Sequence, residues 1–415
     1  MFNRHITDQI LAAIADTPVI LINGARQTGK STLMEWISKN KHPATYYTLD
    51  NATTLAAIKS DPGDFIANMN GPIILDEIQR APEIFVAIKE AVDKNRKPGR
   101  FLLTGSANVL LLPKLSESLA GRMQIINLWP LSQGELIDHK EGFINILFDK
   151  QFAQFELKPL ARKKLIQLIL AGGYPEVLSR KDPGRRLDWF DSYITAILQR
   201  DIRDLANIDG LTTLPKLLSL LAARASSLLN LAELSRSSAI SHTTLMRYMA
   251  LLEATFLIHT VAPWSNNLSK RLVKTPKIFL NDTGLASYLS GINEERINTE
   301  PQLLGMLLEN FVVVELKKQL TWTSKVRAKL FHYRTQSGQE IDIILEDASG
   351  RCVGIEVKSS RTVTEKDFKS LKIFAEENKD KFVRGIVLYT GDQVYSFGKN
   401  FYAVPVHALW SIRDL

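Results

Sequence analysis

Gly24-Ala25-Arg26-Gln27-Thr28-Gly29-Lys30-Ser31 carries two glycines with four residues between them, then a lysine and a hydroxyl, the pattern of a phosphate-binding loop. Pro18-Val19-Ile20-Leu21-Ile22 before it has the length and apolarity of a buried strand, and Ser31-Thr32-Leu33-Met34-Glu35-Trp36-Ile37 after it reads as a helix. Gly24 and Gly29 let successive amide N–H groups turn inward on phosphate oxygens where a Cβ would stand in the way. The helix start adds unsatisfied N–H groups and the positive end of its dipole. In this frame Gly24, Ala25, Arg26, Gln27, Thr28, Gly29, Lys30, Ser31 and Thr32 line a nucleotide, with Lys30 on the β- and γ-phosphates and Ser31 on Mg²⁺. ATP and Mg²⁺ are therefore the expected cofactors. The competing reading, a chance glycine-rich turn, leaves the fitting flanks on both sides unexplained.

Bulk properties agree with a multidomain globular protein. At 415 residues, 45% hydrophobic and 23% charged, the chain can bury two or three cores. Cys352 is the only cysteine, so no intrachain disulfide forms. Met1-Phe2-Asn3-Arg4-His5-Ile6 lacks an apolar signal core, and no stretch approaches the roughly 20 apolar residues of a membrane span. These features read as soluble and cytoplasmic, with no membrane partner. A net charge of +8 favours a polyanionic partner, although ATP or an acidic protein would also qualify.

Working outward, residues 4–16 read as an amphipathic helix, and Ala44-Thr45-Tyr46-Tyr47-Thr48-Leu49-Asp50 as a second strand. Gly71-Pro72-Ile73-Ile74-Leu75-Asp76-Glu77 is an apolar strand that ends in two acids. Asp76 is placed to hold Mg²⁺ and Glu77 to orient or deprotonate the attacking water, since ligands of parallel sheets gather at the carboxyl ends of strands. A solubilising strand edge is the alternative for such a pair. Arg100-Phe101-Leu102-Leu103-Thr104-Gly105-Ser106-Ala107-Asn108 is a third strand of the kind, ending in hydroxyls and an amide that could sense the γ-phosphate.

The order of phosphate loop, Leu75-Asp76-Glu77, Leu103 to Asn108, and Ser118-Leu119-Ala120-Gly121-Arg122 resembles an AAA-type ATPase domain. More narrowly, it resembles bacterial and archaeal ATPases in which that domain is joined to a C-terminal domain of unknown function. The resemblance implies Thr104 or Ser106 as the sensor and Arg122 as an arginine finger, and with it a homo-oligomer through the ATPase domain; a surface arginine is the alternative for Arg122. Strand–helix alternation stops after Leu128-Trp129-Pro130-Leu131, which ends the first domain. Gly172-Gly173-Tyr174-Pro175-Glu176 and Tyr193 to Ile202 also match the family, with packing in a lid or linker as their default role.

Leu231 to Arg236 reads as a short helix, Ser237 to Ile240 as a turn, and Ser241 as the N-cap of a longer helix to Leu257. This is a helix-turn-helix outline with His242, Thr243, Thr244, Arg247 and Tyr248 toward a groove. Lys216, Arg224, Arg236, Arg247, Lys270, Arg271, Lys274 and Lys277 make the segment basic, and Trp264 to Phe279 could form a wing. DNA is the expected partner, with protein contacts or an interdomain spacer as the alternative.

Gln339-Glu340-Ile341-Asp342-Ile343-Ile344-Leu345, a turn at Asp347-Ala348-Ser349-Gly350, and Cys352 to Lys358 read as a hairpin. Period two puts Glu356 and Lys358 on one face, with Asp342 across from them. The arrangement resembles the PD-(D/E)xK nuclease superfamily. That implies Asp342 and Glu356 as metal ligands, Lys358 as the charge-stabilising or water-positioning residue, and Glu309 as the upstream helix acid. Ile341 stands where that pattern has proline. The alternatives are a solvated hairpin face and a fold that has kept its shape without hydrolysis.

The expected fold is α/β: a parallel-sheet ATPase domain over 1–135, a helical lid or linker over 136–215, a winged-helix-like unit over 216–290, and a nuclease-like α/β domain over 291–415. The expected function is an ATP-hydrolysing AAA-type ATPase acting on DNA, with a possible metal-dependent nuclease domain. The alternative is an ATP-driven switch on a protein partner with an inert nuclease-like fold. A plain transcription factor would leave the ATPase site unexplained.

Overall fold

In the computed structural model of the chain, residues 2–106, 119–152, 155–203, 213–267, 271 and 275–414 are described. Helix α1 (Thr7–Asp16) leads into β1 (Val19–Asn23), the phosphate loop and α2 (Lys30–Asn40). β2 (Thr45–Thr48), α3 (Ala52–Ser60), α4 (Pro62–Ala67), β3 (Ile73–Asp76), α5 (Ile84–Lys94), β4 (Phe101–Gly105) and β5 (Met123–Asn127) follow. The five strands form one sheet in the order β2-β3-β4-β1-β5, and every pairing in it is parallel. All residues of β1, β3 and β4 are buried, which is why these segments read as near-continuous apolar runs. Their carboxyl ends share one edge, and there the loop, Asp76 and Thr104 meet.

Beyond β5 lie α6 (Arg162–Ala171), α7 (Pro183–Ala196) continuing into a π-helical turn (Ile197–Asp201), and α8 (Leu214–Ala222). The helix-turn-helix follows as α9 (Leu231–Ser238) and α10 (His242–Ala254), with Ala239 in the left-handed region at φ 58° between them. Ser241 caps α10 by accepting from Thr244 N. β6 (Ile258–Val261) and β7 (Lys277–Leu280) pair antiparallel, followed by α11 (Thr283–Leu289) and the long α12 (Gln302–Trp322).

A second, mixed sheet contains β8 (Ala328–Arg334), β9 (Glu340–Asp347), β10 (Cys352–Lys358), β11 (Phe382–Tyr389), β12 (Tyr395–Ser396) and β13 (Phe401–Pro405), in the order β12-β13-β11-β10-β9-β8. α13 (Lys369–Glu377) makes the crossover between the parallel pair β10 and β11. The hairpin read from the sequence is β9–β10, with Ile343 opposite Ile355. Beyond the end of this pairing the Asp342 side chain accepts from the N–H of Val357, the residue next to Glu356. A single core cluster runs through the helical region, the helix-turn-helix and the C-terminal sheet, from Phe143 to Trp410, and it takes in Ala25 of the phosphate loop.

Asp282 ties several of these parts together. Its buried carboxylate accepts from Gly173 N at 2.7 Å and caps α11 by accepting from Leu285 N at 2.9 Å. The Gly172-Gly173 and Asp282-Thr283-Gly284 stretches therefore make one packing junction. Asp282→Ala leaves two buried N–H groups without their acceptor. We expect a loss of about 3 kcal/mol in stability, read as a lowered urea midpoint with an unchanged slope; a midpoint equal to that of the parent chain would remove Asp282 from the junction's energetics.

Candidate functional site

The phosphate loop is shaped by two different constraints. Gly29 adopts φ 92°, a left-handed conformation that side chains resist. A Cβ on Gly24 would lie 2.2 Å from the Leu128 carbonyl oxygen, so that glycine is required by close approach. Between them Gln27 also has positive φ, at 64°, and Thr28 is buried with its hydroxyl donating to Ala25 O at 2.9 Å. Thr32 is exposed on the first turn of α2. Lys30 Nζ donates to Gly24 O and Ala25 O, both at 2.9 Å. Burial lowers its pKa to about 8, with the Glu77 and Asp76 charges opposing that shift.

Asp76, at the end of β3, collects three hydroxyls. Ser31 Oγ donates to its two oxygens at 2.9 and 3.0 Å, Tyr46 OH donates at 2.7 Å, and Thr104 Oγ1 donates to Oδ1. A serine hydroxyl beside a carboxylate is a hard-oxygen donor set, and it fits Mg²⁺, which takes few protein ligands. Glu77 sits next to it in the left-handed region, at φ 59° and ψ 45°. Its Oε2 accepts from Ser106 Oγ at 2.9 Å and from Gln79 Nε2, and its N–H donates to Thr104 Oγ1 at 3.2 Å. The sequence-predicted set of Lys30, Ser31, Asp76, Glu77, Thr104 and Ser106 is thus brought together at one edge. Ala107, Asn108 and Ser118 lie outside the described residues.

The other wall of the site comes from the helical region. A cavity of about 460 Å³ opens between Arg26, Glu77 and Ser106 on one side and Arg200 and Asp201 of the π-helical turn on the other. Arg26 pairs with Asp201 at 2.8 Å, and Asp50 pairs with Arg80 at 2.5 Å and with Arg200 at 3.1 Å. Tyr46, Gln79, Arg80, Arg200 and Asp201 were not singled out by sequence reasoning. Tyr46, Gln79 and Arg80 lie close to site motifs, whereas Arg200 and Asp201 fall in the Tyr193 to Ile202 stretch, whose expected role is packing in a lid or linker. The π turn itself, frequent at functional sites, has no sequence signal that distinguishes it from an ordinary helix end.

Arg122 stands immediately before β5, whose first residue is level with Val19 at the start of β1. It is at the amino edge of the sheet, opposite the phosphate loop, where its Nε donates to Asp93 Oδ1 at 2.6 Å. It does not reach the nucleotide site of its own chain.

The helix-turn-helix has the expected helices, with two corrections. Tyr248 is buried with Leu245, Met249 and Leu252 in the core and cannot face a groove, whereas His242, Thr243 and Arg247 are exposed and Thr244 is half-buried. Of the segment expected as a wing, Trp264 and Arg271 pack against the C-terminal sheet, whereas Lys277, Ile278 and Phe279 pair with β6. Trp264 N donates to His332 O at 2.6 Å, and Arg271 makes a bidentate pair with Glu346 and stacks on Phe331. Arg224 is likewise paired, with Glu233 at 2.7 Å. Lys270 and Lys274 lie outside the described residues. Lys216 and Arg236 are exposed.

Lys277, counted with the basic face, points the other way. It is 2% exposed, and its Nζ lies 2.9 Å from Glu309 Oε1, 2.8 Å from Glu340 Oε1 and 3.6 Å from Asp342 Oδ1. The acids expected from the nuclease resemblance do gather here. Asp342 accepts from Val357 N at 2.9 Å, and Lys358 Nζ donates to Glu356 Oε2 at 3.0 Å. Burial first, and the Asp342 charge second, hold the Glu309 and Glu356 carboxyls above their ordinary range. A divalent metal does not fit this arrangement, because an ammonium of the chain stands among the carboxylates. Among the described residues no group of three or more His, Cys, Asp or Glu is placed to hold a metal ion. Of the expected ligand set, Glu309 and Asp342 lie against Lys277 and Glu356 pairs with Lys358, so each acid is engaged by an ammonium of the chain.

The free protein's Lys30, with a pKa near 8, must be charged to face phosphate. Above pH 8 ATP binding should therefore take up a proton, and affinity should fall by up to tenfold per pH unit, while below pH 7 Lys30 adds no such dependence. Calorimetry at pH 8.5 in two buffers of different protonation enthalpy measures this uptake. Identical binding heats in the two buffers, or in the parent and Lys30→Ala proteins, would show that Lys30 is not the linked group.

Comparison with known proteins accords with the N-terminal geometry. The AAA domain family matches residues 16–137, and two domains of unknown function, DUF8612 and DUF4143, match residues 162–296 and 304–409. The uncharacterized protein MJ1544 of Methanocaldococcus jannaschii is 23% identical over 323 residues, covering 72% of this chain and 68% of that one. Among solved structures, the Thermotoga maritima RuvB Holliday junction branch migration motor is 17% identical with a TM-score of 0.31, covering 65% of this chain and 95% of that one; the strand order described above, and not this superposition, defines the fold. The uncharacterized protein Rv2008c of Mycobacterium tuberculosis is 30% identical over 404 residues, covering 97% of this chain and 83% of that one. The chain belongs to the family of that mycobacterial protein, and its N-terminal residues 16–137 match the AAA domain family.

Proposed function

We propose that the chain hydrolyses ATP with Mg²⁺ and uses the cycle to act on DNA, with its nuclease-like fold inert in the conformation described here. The carrying observation is the placement of Glu77 beside the Ser31–Asp76 pair, its carboxylate held by Ser106 and Gln79. Lys30 and the loop N–H groups bind and orient the phosphates. Ser31 and Asp76 would hold Mg²⁺, which would supply charge neutralisation at the β- and γ-phosphates. Glu77 accepts the proton of the attacking water, and Thr104 links it to Asp76 by bonding both. Arg26 and Arg200 face the same cavity from opposite sides, so nucleotide phosphate competes with Asp201 and Asp50 for them and alters the seam with the helical region. DNA contact falls to the exposed start of α10, His242, Thr243 and Arg247, with Lys216 and Arg236 nearby in the chain.

A second reading, a switch on a protein partner, is favoured by the pairing of Arg224 and Arg271 with glutamates and by the burial of Tyr248. Salt dependence separates the two. A DNA-binding protein loses affinity linearly in log–log terms, and Arg247→Ala should reduce that slope by about 1. A fluorescence titration over a salt series measures it; absence of DNA binding at low salt would favour the protein partner.

Arg122, remote from its own loop, acts in a neighbouring subunit in this proposal. Glu77→Gln should lower hydrolysis by roughly 10²–10⁴-fold, and Arg122→Ala by a comparable or larger factor. Mixed oligomers of the two variants should regain part of the activity, because some interfaces then combine an intact base with an intact finger. No recovery in oligomers shown to be mixed would place Arg122 outside the reaction.

A further inference from the structure

The resemblance of β9 and β10 implies a divalent metal on Asp342 and Glu356 with Glu309 close by, and two of these three acids, Glu309 and Asp342, here lie against Lys277. The ammonium meets three carboxylates, at 2.9 Å for Glu309, 2.8 Å for Glu340 and 3.6 Å for Asp342. Lys358 neutralises the remaining acid, Glu356, at 3.0 Å. Crowded carboxylates repel one another unless a cation or protons intervene, and the chain supplies two cations of its own. Lys277 comes from a different structural unit. It sits on β7, which pairs with β6 of the helix-turn-helix unit, whereas Glu309 is on α12 and Glu340 and Asp342 are on β9.

The lysine is also held in place by its own strand. Three residues along β7, the Asn310 side chain of α12 accepts from Leu280 N and donates to Leu280 O, both at 2.9 Å. Consecutive α12 residues, Glu309 and Asn310, thus grip the lysine side chain and the strand backbone. For Nζ to leave the carboxylates, the side chain must abandon a site where it is 2% exposed, or β7 must break from α12. A divalent ion entering while the lysine stays would meet an ammonium a few ångströms away, a repulsion that the low-dielectric interior amplifies.

We propose that Lys277 is the resident cation of this centre, a tethered side chain that takes up Glu309 and Asp342 of the acid set and keeps the centre closed to a divalent metal while β7 is docked on α12. Removing the charge uncovers a hard-oxygen site of the kind that takes Mg²⁺ or Mn²⁺. The inference does not depend on ATP turnover or DNA binding, and it is tested without nucleotide.

The experiment uses the full-length protein and Mn²⁺ as the probe, with bound metal read by water-proton relaxation and stability by thermal melting. The wild-type protein should show no Mn²⁺ binding that Asp342→Asn removes. Lys277→Met keeps the apolar stem and loses the ammonium; it should melt lower than wild type, gain one Mn²⁺ per chain, and recover part of the lost melting temperature in millimolar Mn²⁺. The double variant Lys277→Met, Asp342→Asn should lose both the site and the recovery. Lys277→Gln, whose amide can still donate to the carboxylates, serves if the methionine variant does not fold, with the same gain expected. Asp342-dependent Mn²⁺ binding by the wild type would overturn the proposal, and so would a folded Lys277→Met or Lys277→Gln protein that binds no Mn²⁺. The wild-type arm decides the matter alone if neither variant folds: Asp342-dependent binding refutes a resident lysine, and its absence supports one.

Discussion

The relative placement of the N-terminal sheet and the rest of the chain depends on a guanidinium that has been taken out of water. Arg4 donates to Glu135 Oε1 at 3.0 Å, to Thr28 O at 2.8 Å and to Trp129 O at 2.6 Å. His5 meets Glu141 at 2.8 Å, and nearby Glu315 of α12 accepts from Gln133 N at 2.9 Å and from Lys318 at 2.7 Å. All six of these side chains are buried. Buried charges separated from their partners cost several kcal/mol each, so small displacements at this seam are penalised steeply. Because Thr28 belongs to the phosphate loop, the same guanidinium joins the nucleotide site to the segment that meets α12.

The molecule handles crowded negative charge in two ways. At Asp76, hydroxyls of Ser31, Tyr46 and Thr104 supply protons while leaving the carboxylate available to a hydrated cation. At Asp342, ammonium groups supply full charges and leave no room for one. Both centres lie near strand ends and both would look acidic in a residue count. The difference comes from which other elements reach in, neutral hydroxyls from α2, β2 and β4 of the same domain in one case and a lysine from a separate unit in the other.

This contrast explains what could be read from the sequence. The loop, Asp76, Glu77, Thr104 and the β9–β10 hairpin are local patterns, in which a strand, a turn and a few side chains carry their own geometry. The Arg26–Asp201 pair spans the ATPase domain and the helical region, and no local period announces it. Tyr248 was legible in principle, since Leu245, Tyr248, Met249 and Leu252 recur at the spacing of one buried helical face. Lys277 was not, because a charge tally gives the sign of a residue without the direction in which its strand presents it.

The backbone at Glu77 sets the demands of chemistry against those of folding. Its left-handed conformation, φ 59° and ψ 45°, costs a non-glycine residue about 1 kcal/mol or more. Glycine would relieve that strain and asparagine would bear it more easily, yet neither offers a carboxylate to the cavity. Selection for thermal robustness alone would therefore drift toward small or amide side chains at this position. Under the hydrolysis proposed above, the glutamate would persist against that drift only where turnover itself is under selection, and its identity in related chains would then record that pressure.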